Sequence, residues 1–334
     1  MVESYNNPDV LVSTDWLEEN LQRENIRVVE VNTDVEIGYN TGHVEGSIVW
    51  DLHKDLESRE RRDIPSLSQI EELFNTSGIG KNTTVILYGD GNNRSATWAF
   101  WILKYYRHSD VKLLNGGRTK WIQEGRALSS ENSIPKRTQY KIEIPDKSIR
   151  ATKDYILKSL GSVDDTVLVD TRTVEEYSGK MSASAGTDQT GIYRNGRIPN
   201  SIHIQWDDGA SADGAFLPEL ELRALYNNAG ISPDKEIIPY CRLGMRASYT
   251  WFVLKYLLGY DRVRNYDGSW TEYGTLTTGH MDDPKQWSKE ELLAYILIFV
   301  AHSDLEETRK EKEYILELFF YWIGATDFLL NELI

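Results

Sequence analysis

The residues in this 334-residue chain best placed for chemistry are Tyr240-Cys241-Arg242-Leu243-Gly244-Met245-Arg246, around its one cysteine. The apolar run 236–240 precedes them and a helical stretch over 247–258 follows. Cys241 therefore stands at the C-terminal end of a predicted strand, where open parallel sheets bind ligands. A tight turn in that place aims several backbone N–H groups at one point, and a helix N-terminus adds partial positive charge. With Arg242 and Arg246 beside it, the setting favours the thiolate and any anionic adduct formed on it, which makes Cys241 the candidate nucleophile. Gly244 admits a positive φ and lets a ligand approach the backbone. Leu243 and Met245 complete the candidate substrate loop. A lone cysteine on a buried strand is more often a small core residue, but two arginines within five positions make poor core neighbours.

Composition narrows what such a loop serves. Lys plus Arg is 37 against 52 Asp plus Glu, a net charge of −15. That surface repels nucleic acid and anionic membrane, so an anionic substrate must be drawn in by a local group of cations. One cysteine makes no internal disulfide and supplies no multi-thiolate zinc site, and no metal or cofactor is expected. The first residues carry neither a basic stretch nor an apolar one. The longest apolar runs, 292–300 and 315–323, fall short of the ~20 residues of a membrane span. A cytoplasmic protein is the expectation.

The elements that hold the loop occur twice. Val-Val-Glu-Val-Asn-Thr from position 28 recurs as Val-Leu-Val-Asp-Thr-Arg from 167, and Gly42-His43-Val44-Glu45-Gly46-Ser47-Ile48 as Gly196-Arg197-Ile198-Pro199-Asn200-Ser201-Ile202. The runs 84–88 and 236–240, each ending in Tyr, form another pair, as do Leu103-Lys104-Tyr105 and Leu254-Lys255-Tyr256, all offset by about 150 residues. Continuous β-branched runs alternate with helical stretches, which predicts α/β domains with mainly parallel sheets flanked by helices. Thr33 with Glu36, and Thr173 with Glu176, have capping-box spacing. The boundaries expected are a first domain over 1–135, a linker over 136–149, a second domain over 150–283 and a helical extension over 284–334. Residues 128–149, with Pro135 and Pro145, read as a linker whose first part is equally an extended arm lying along a domain. An insertion over 178–196 is either a surface loop or a lid, with Arg194 and Arg197 at its end.

Taken together, Val169-Asp170-Thr171-Arg172, Arg197-Ile198-Pro199-Asn200-Ser201, the Cys241–Arg246 loop and Asn265-Tyr266-Asp267-Gly268-Ser269-Trp270, with Asn115-Gly116-Gly117-Arg118 in the first half, resemble the tandem-domain rhodanese family, bacterial thiosulfate sulfurtransferases in particular. The resemblance covers about 8 to 280. It implies two rhodanese domains, the first inactive and the second catalytic. The sequence supports that asymmetry, because Gly89-Asp90-Gly91-Asn92-Asn93-Arg94 replaces the cysteine loop and the first half has no cysteine. That loop, one residue longer, reads as structural or as an interdomain contact.

The family mechanism implies that the Cys241 thiolate attacks the outer sulfur of thiosulfate, sulfite leaves, and the persulfide passes its sulfur to cyanide or a thiol. Arg242 and Arg246 would hold the sulfonate. With no second cysteine the acceptor must be external. Cys-x4-Arg is one residue shorter than the Cys-x5-Arg loop of phosphatases, and a phosphate needs a wider ring of donors than one outer sulfur. Relatives using 3-mercaptopyruvate begin the loop Cys-Gly-Ser/Thr-Gly, so Arg242 and Leu243 lean towards thiosulfate, with the mercaptopyruvate enzyme and a non-catalytic sulfur carrier as alternatives. Leu243 stands where vertebrate thiosulfate enzymes have lysine. Arg197, in place of the common histidine, either supplies a compensating charge or faces solvent. Asp170 is expected to hydrogen-bond the local backbone or the active-site loop.

Residues 285–334 lie beyond the resemblance. Ser288 with Glu291 and Asp304 with Glu307 have capping-box spacing ahead of apolar stripes. A helical hairpin is predicted, to dock on the body, form a homodimer or bind a partner.

Overall fold

The computed structural model describes residues 4–58, 63–160, 165–181 and 195–274. In the first half, β1 (Leu11–Val12), β2 (Ile26–Asn32), β3 (Ile48–Asp51), β4 (Thr84–Gly89) and β5 (Val111–Leu114) form one sheet in the order β1-β5-β4-β2-β3, with every pair parallel. In the second, β6 (Thr166–Asp170), β7 (Ile202–His203) and β8 (Glu236–Tyr240) run parallel in the order β7-β6-β8. Parallel bridges from Ile237 to Val263, Tyr240 to Tyr266 and Arg150 to Asn265 continue this sheet past β8, so both halves lay their chain in the same order. All of β4 and all of β8 are buried, as a strand covered on both faces must be.

Helices make the connections. They are α1 (Thr14–Asn20), α2 (Leu52–Asp55), α3 (Leu67–Thr76), α4 (Asp90–Tyr105) and α5 (Gly117–Gln123) in the first half, then α6 (Lys153–Ser159), α7 (Val174–Ser178), α8 (Glu219–Asn228), α9 (Met245–Phe252) and α10 (Ser269–Gly274). The Thr173–Glu176 capping box forms at the start of α7, with both reciprocal hydrogen bonds present. The Thr33–Glu36 pair forms none. Asp34 takes the backbone N–H groups of Glu36 and Ile37 and makes a turn instead, the usual competition of a short acidic side chain with helix initiation. The helix expected over 247–258 begins earlier, at Met245, and its last part widens into one π turn, Val253–Leu257.

The two halves share one apolar core. Helix α4 lies against α9: the Phe100 ring is 4.8 Å from that of Phe252 and 5.2 Å from that of Tyr256, and Thr97 Oγ1 is 3.5 Å from Ser248 Oγ. Arg150 spans the seam, bonding Asp63 at 2.6 Å and Asp267 at 2.8 and 2.7 Å. Lys120 and Asp213 pair across it as well.

Residues 128–149 run as an extended arm along the first half. Ser129 bridges His43, Thr138 N–H donates to the Asn75 carbonyl at 3.0 Å, and Asp146 N–H to the Tyr105 carbonyl at 2.7 Å. A shorter strap crosses the other way. Asn6 and Asn7 donate their N–H groups to the Leu257 and Tyr256 carbonyls, and Tyr5 Oη bonds the Leu217 carbonyl at 2.9 Å. The expected helical extension, its two capping boxes, Arg194 and most of the 178–196 insertion lie outside the described residues.

Candidate active site

Cys241 follows β8 directly and is 1% exposed. Its own N–H donates to Ser269 Oγ at 3.0 Å, and its carbonyl accepts from Trp270 N–H at 3.0 Å. The next carbonyl, of Arg242, accepts from Thr271 N–H at 3.1 Å and Thr271 Oγ1 at 2.8 Å. The start of α10 thus braces the back of the loop and leaves its front to the sulfur. There Gly244 N–H donates to Sγ at 3.1 Å. Gly244 has φ 89° and caps α9, and a Cβ at this position would lie 2.8 Å from Asp267 Cα and 2.9 Å from the Trp98 ring. Only glycine fits there, and its conformation is what turns the amide onto the thiol.

Arg246, in the first turn of α9, is held bidentately by Glu176 at 2.7 and 2.9 Å. Burial draws its pKa down, but the hydrogen bonds it donates to Glu176 and the nearby Cys241 outweigh burial and raise it, so the guanidinium stays charged. Glu176 is fully buried. It enters the sequence as the third residue of a capping box, and its Oε2 accepts from Thr173 N–H at 3.1 Å while also taking Arg246. One carboxylate therefore starts α7 and fixes a cation beside the sulfur. Sequence spacing shows the first task; the second depends on burial across 70 residues, which spacing does not display.

The other expected residues divide. Arg242 is buried at 7% exposure, while Leu243 and Met245 are half-buried. Asp170 is fully buried and accepts from Tyr240 Oη at 2.8 Å, from the Arg172 guanidinium at 2.6 and 2.9 Å and from Arg172 N–H at 3.0 Å. These bonds make it an anchor for the strand end that precedes Cys241, and one of them comes from the local backbone, at Arg172 N–H. Arg197 is exposed and lies over the Tyr177 ring at 4.4 Å, with a hydrogen bond to the Tyr177 carbonyl at 3.3 Å. The structure does not bring it to the loop. Ser269, Glu176 and Trp98 were not among the expected site residues, and the structure adds them.

A family model for the rhodanese-like domain matches residues 13–124 and again 152–275. The chain belongs to the rhodanese family. A protein of Saccharopolyspora erythraea named "Putative thiosulfate sulfurtransferase" is 44% identical over 83% of this chain and 98% of its own. The "Sulfur carrier protein TtuD" of Thermus thermophilus is 45% identical over 81% of this chain and 96% of its own. Among solved structures, an anaerobic ergothioneine biosynthesis enzyme from Chlorobium limicola, in complex with trimethyl histidine, superposes with a TM-score of 0.72 at 26% identity, over 81% of this chain and 69% of that one. Two rhodanese domains of parallel sheets flanked by helices, as expected from the sequence, make up the described chain.

Proposed function

We propose that this sulfurtransferase-family protein moves the outer sulfur of thiosulfate through a persulfide on Cys241 to cyanide or a thiol acceptor. The observation that carries the reading is the thiol at the end of β8 with the Gly244 amide on its sulfur and the Glu176-clamped Arg246 beside it. In the first half-reaction the Cys241 thiolate attacks the terminal sulfur, the S–S bond of the donor breaks, and its electron pair leaves on sulfite. The negative charge then rests on the outer persulfide sulfur. Backbone N–H groups and a fixed cation are the donors that stabilise charge moving in this way. In the second, cyanide or a thiolate attacks that outer sulfur and returns the Cys241 thiolate, giving ping-pong kinetics.

The near-complete burial of Cys241 favours a donor whose reacting end is a single small atom. That suits the terminal sulfur of thiosulfate. The names of the Saccharopolyspora and Thermus relatives agree on sulfur chemistry and differ on whether the protein is an enzyme or a carrier. The chain has no second cysteine to resolve the persulfide, so either role requires an external acceptor.

Mass spectrometry after incubating the reduced protein with thiosulfate tests the reading. The expected result is a gain of one sulfur atom in the wild type and none in Cys241→Ser. No gain in the wild type removes the proposal. A kcat/KM greater for 3-mercaptopyruvate than for thiosulfate replaces the donor.

A further inference from the structure

The first half has no cysteine, yet its helix α4 packs against α9, the helix that follows the thiol of the second. Helix α4 opens with three residues in the left-handed region, Gly91, Asn92 and Asn93, with φ 53°, 55° and 60°. Regular helix starts at Arg94. Going along the seam, Thr97 meets Ser248 and, one turn later, Phe100 meets Phe252. Both helices advance in the same direction, so their first turns lie together. Trp98 confirms the alignment, since its ring is the atom group that a side chain at Gly244 would strike. Arg94 is the repeat counterpart of Met245, and the parallel packing sets it opposite the cysteine loop.

The Arg94 side chain is half-buried and its Nε is wholly buried with no hydrogen-bond partner. Among the described residues no hydrogen bond or ion pair engages its guanidinium. Burial, followed by the like charge of Arg246, lowers its pKa, while Cys241 and Asp207 act in the opposite sense, so Arg94 shares an electrostatic environment with the thiol. A guanidinium partly withdrawn from water, with its Nε buried and unpartnered, carries a desolvation cost that an anion bound to it would offset. Arg246 differs because Glu176 already neutralises it.

We propose that Arg94 binds the anionic head of the molecule that reacts at Cys241, so that the site is built from both halves of the repeat. This rests on the reading that Cys241 takes sulfur from an anionic donor. It assigns substrate recognition to the half that lacks the nucleophile, and it gives the longer loop Gly89–Asn93 the task of presenting a cation.

Alkylation of Cys241 in the full-length protein separates charge recognition from sulfur transfer. Iodoacetate and iodoacetamide form the same Cys241 thioether linkage with loss of iodide and differ in the negative charge. The wild type is expected to prefer iodoacetate, Arg94→Gln to lose that preference by about ten-fold or more, and KM for thiosulfate to rise to a similar extent. An unchanged ratio in a folded Arg94→Gln protein overturns the proposal. If that variant does not fold, Arg94→Lys decides: a ratio within about three-fold of wild type supports a binding cation, and equal rates with the two reagents overturn it. A wild type that prefers iodoacetate but gains no sulfur from thiosulfate supports the anion site and overturns the donor.

Discussion

Tyr88 and Tyr240 end equivalent central strands and sit in matching hydrogen-bond networks, but only one of the loops that follow holds a reactive atom. Tyr88 Oη bonds Glu30, accepts from Val44 N–H at 3.0 Å and lies 3.2 Å from Ser47 Oγ. Tyr240 Oη bonds Asp170, accepts from Ile198 N–H at 3.1 Å and lies 2.9 Å from Ser201 Oγ. In each half a buried arginine neutralises the carboxylate, Arg118 from α5 in the first and Arg172 from the β6–α7 turn in the second. The loops then diverge. Asn93 stands where Gly244 stands, and its side chain turns back to accept from Gly89 N–H at 3.0 Å and donate to the Leu114 carbonyl at 2.7 Å. Its side chain thus satisfies the backbone N–H whose counterpart, at Cys241, goes to Ser269 Oγ in the second half. Gly89 takes the place of Cys241, and a Cβ there would lie 2.6 Å from the Val31 carbonyl oxygen. The tyrosine network is therefore a scaffold that either loop can stand on. Reactivity comes from the few residues after it.

Cys241→Ser is the largest break available: turnover with thiosulfate should fall by about a thousand-fold or more, measured as sulfite release, with the melting temperature little changed. Retained turnover would mean that the comparison has chosen the wrong loop. Glu176→Gln loosens the clamp on Arg246, for which the first-half loop has no equivalent. The expected loss in kcat/KM is roughly ten-fold or more, and unaltered kinetics would reduce the ion pair to a structural one. Tyr88→Phe and Tyr240→Phe should each cost about 1–3 kcal/mol in chemical denaturation, because each leaves a buried carboxylate one donor short. Only Tyr240→Phe should also slow alkylation of Cys241; an equal slowing in both variants would contradict the division of labour.

The smallest effect concerns a pair of repeat-related lysines. Lys104 lies over the Phe100 and Tyr256 rings and donates to the Ser109 carbonyl, and burial pushes its pKa down to about 8. Lys255 bonds the Asp261 carbonyl and is lowered too, again first by burial. A lysine that is more acidic when folded binds fewer protons than in the unfolded chain between pH 8 and its usual value of 10.5. The contribution of Lys104 to stability therefore rises with pH through that window. The melting temperature of Lys104→Met relative to wild type should therefore fall as the pH is raised from 8 to 10.5, and a difference that does not change with pH would show that Lys104 makes no such contribution.

Much of this was readable in the sequence because duplication provides an internal control. Two copies of Gly-x-x-x-x-Ser-Ile after paired β-branched runs pointed to two domains with parallel sheets, and one Cys against Gly89 pointed to the asymmetry. What escaped depended on distance in space. Thr33 and Glu36 have the spacing of a capping box, but Asp34 between them competes and makes a turn. Arg197 has the charge of a substrate ligand and is engaged by Tyr177, twenty residues earlier. Arg94 belongs to the half without a thiol and reaches Cys241 only through the packing of α4 on α9, which no local pattern encodes. The clamp by Glu176 was hidden behind its capping role for the same reason.

The strap formed by Tyr5, Asn6 and Asn7 ties the beginning of the first half to the π turn and the Phe216–Leu217 segment of the second. During synthesis those residues leave the ribosome long before their partners at 256 and 257 exist. Domains generally fold in order of emergence, so the first sheet assembles with this segment still undocked, and the strap can close only after the second half has formed its π turn. Its closure is a late latch, and an amide-exchange pulse during refolding would register protection at Asn6 and Asn7 after β4 is already protected.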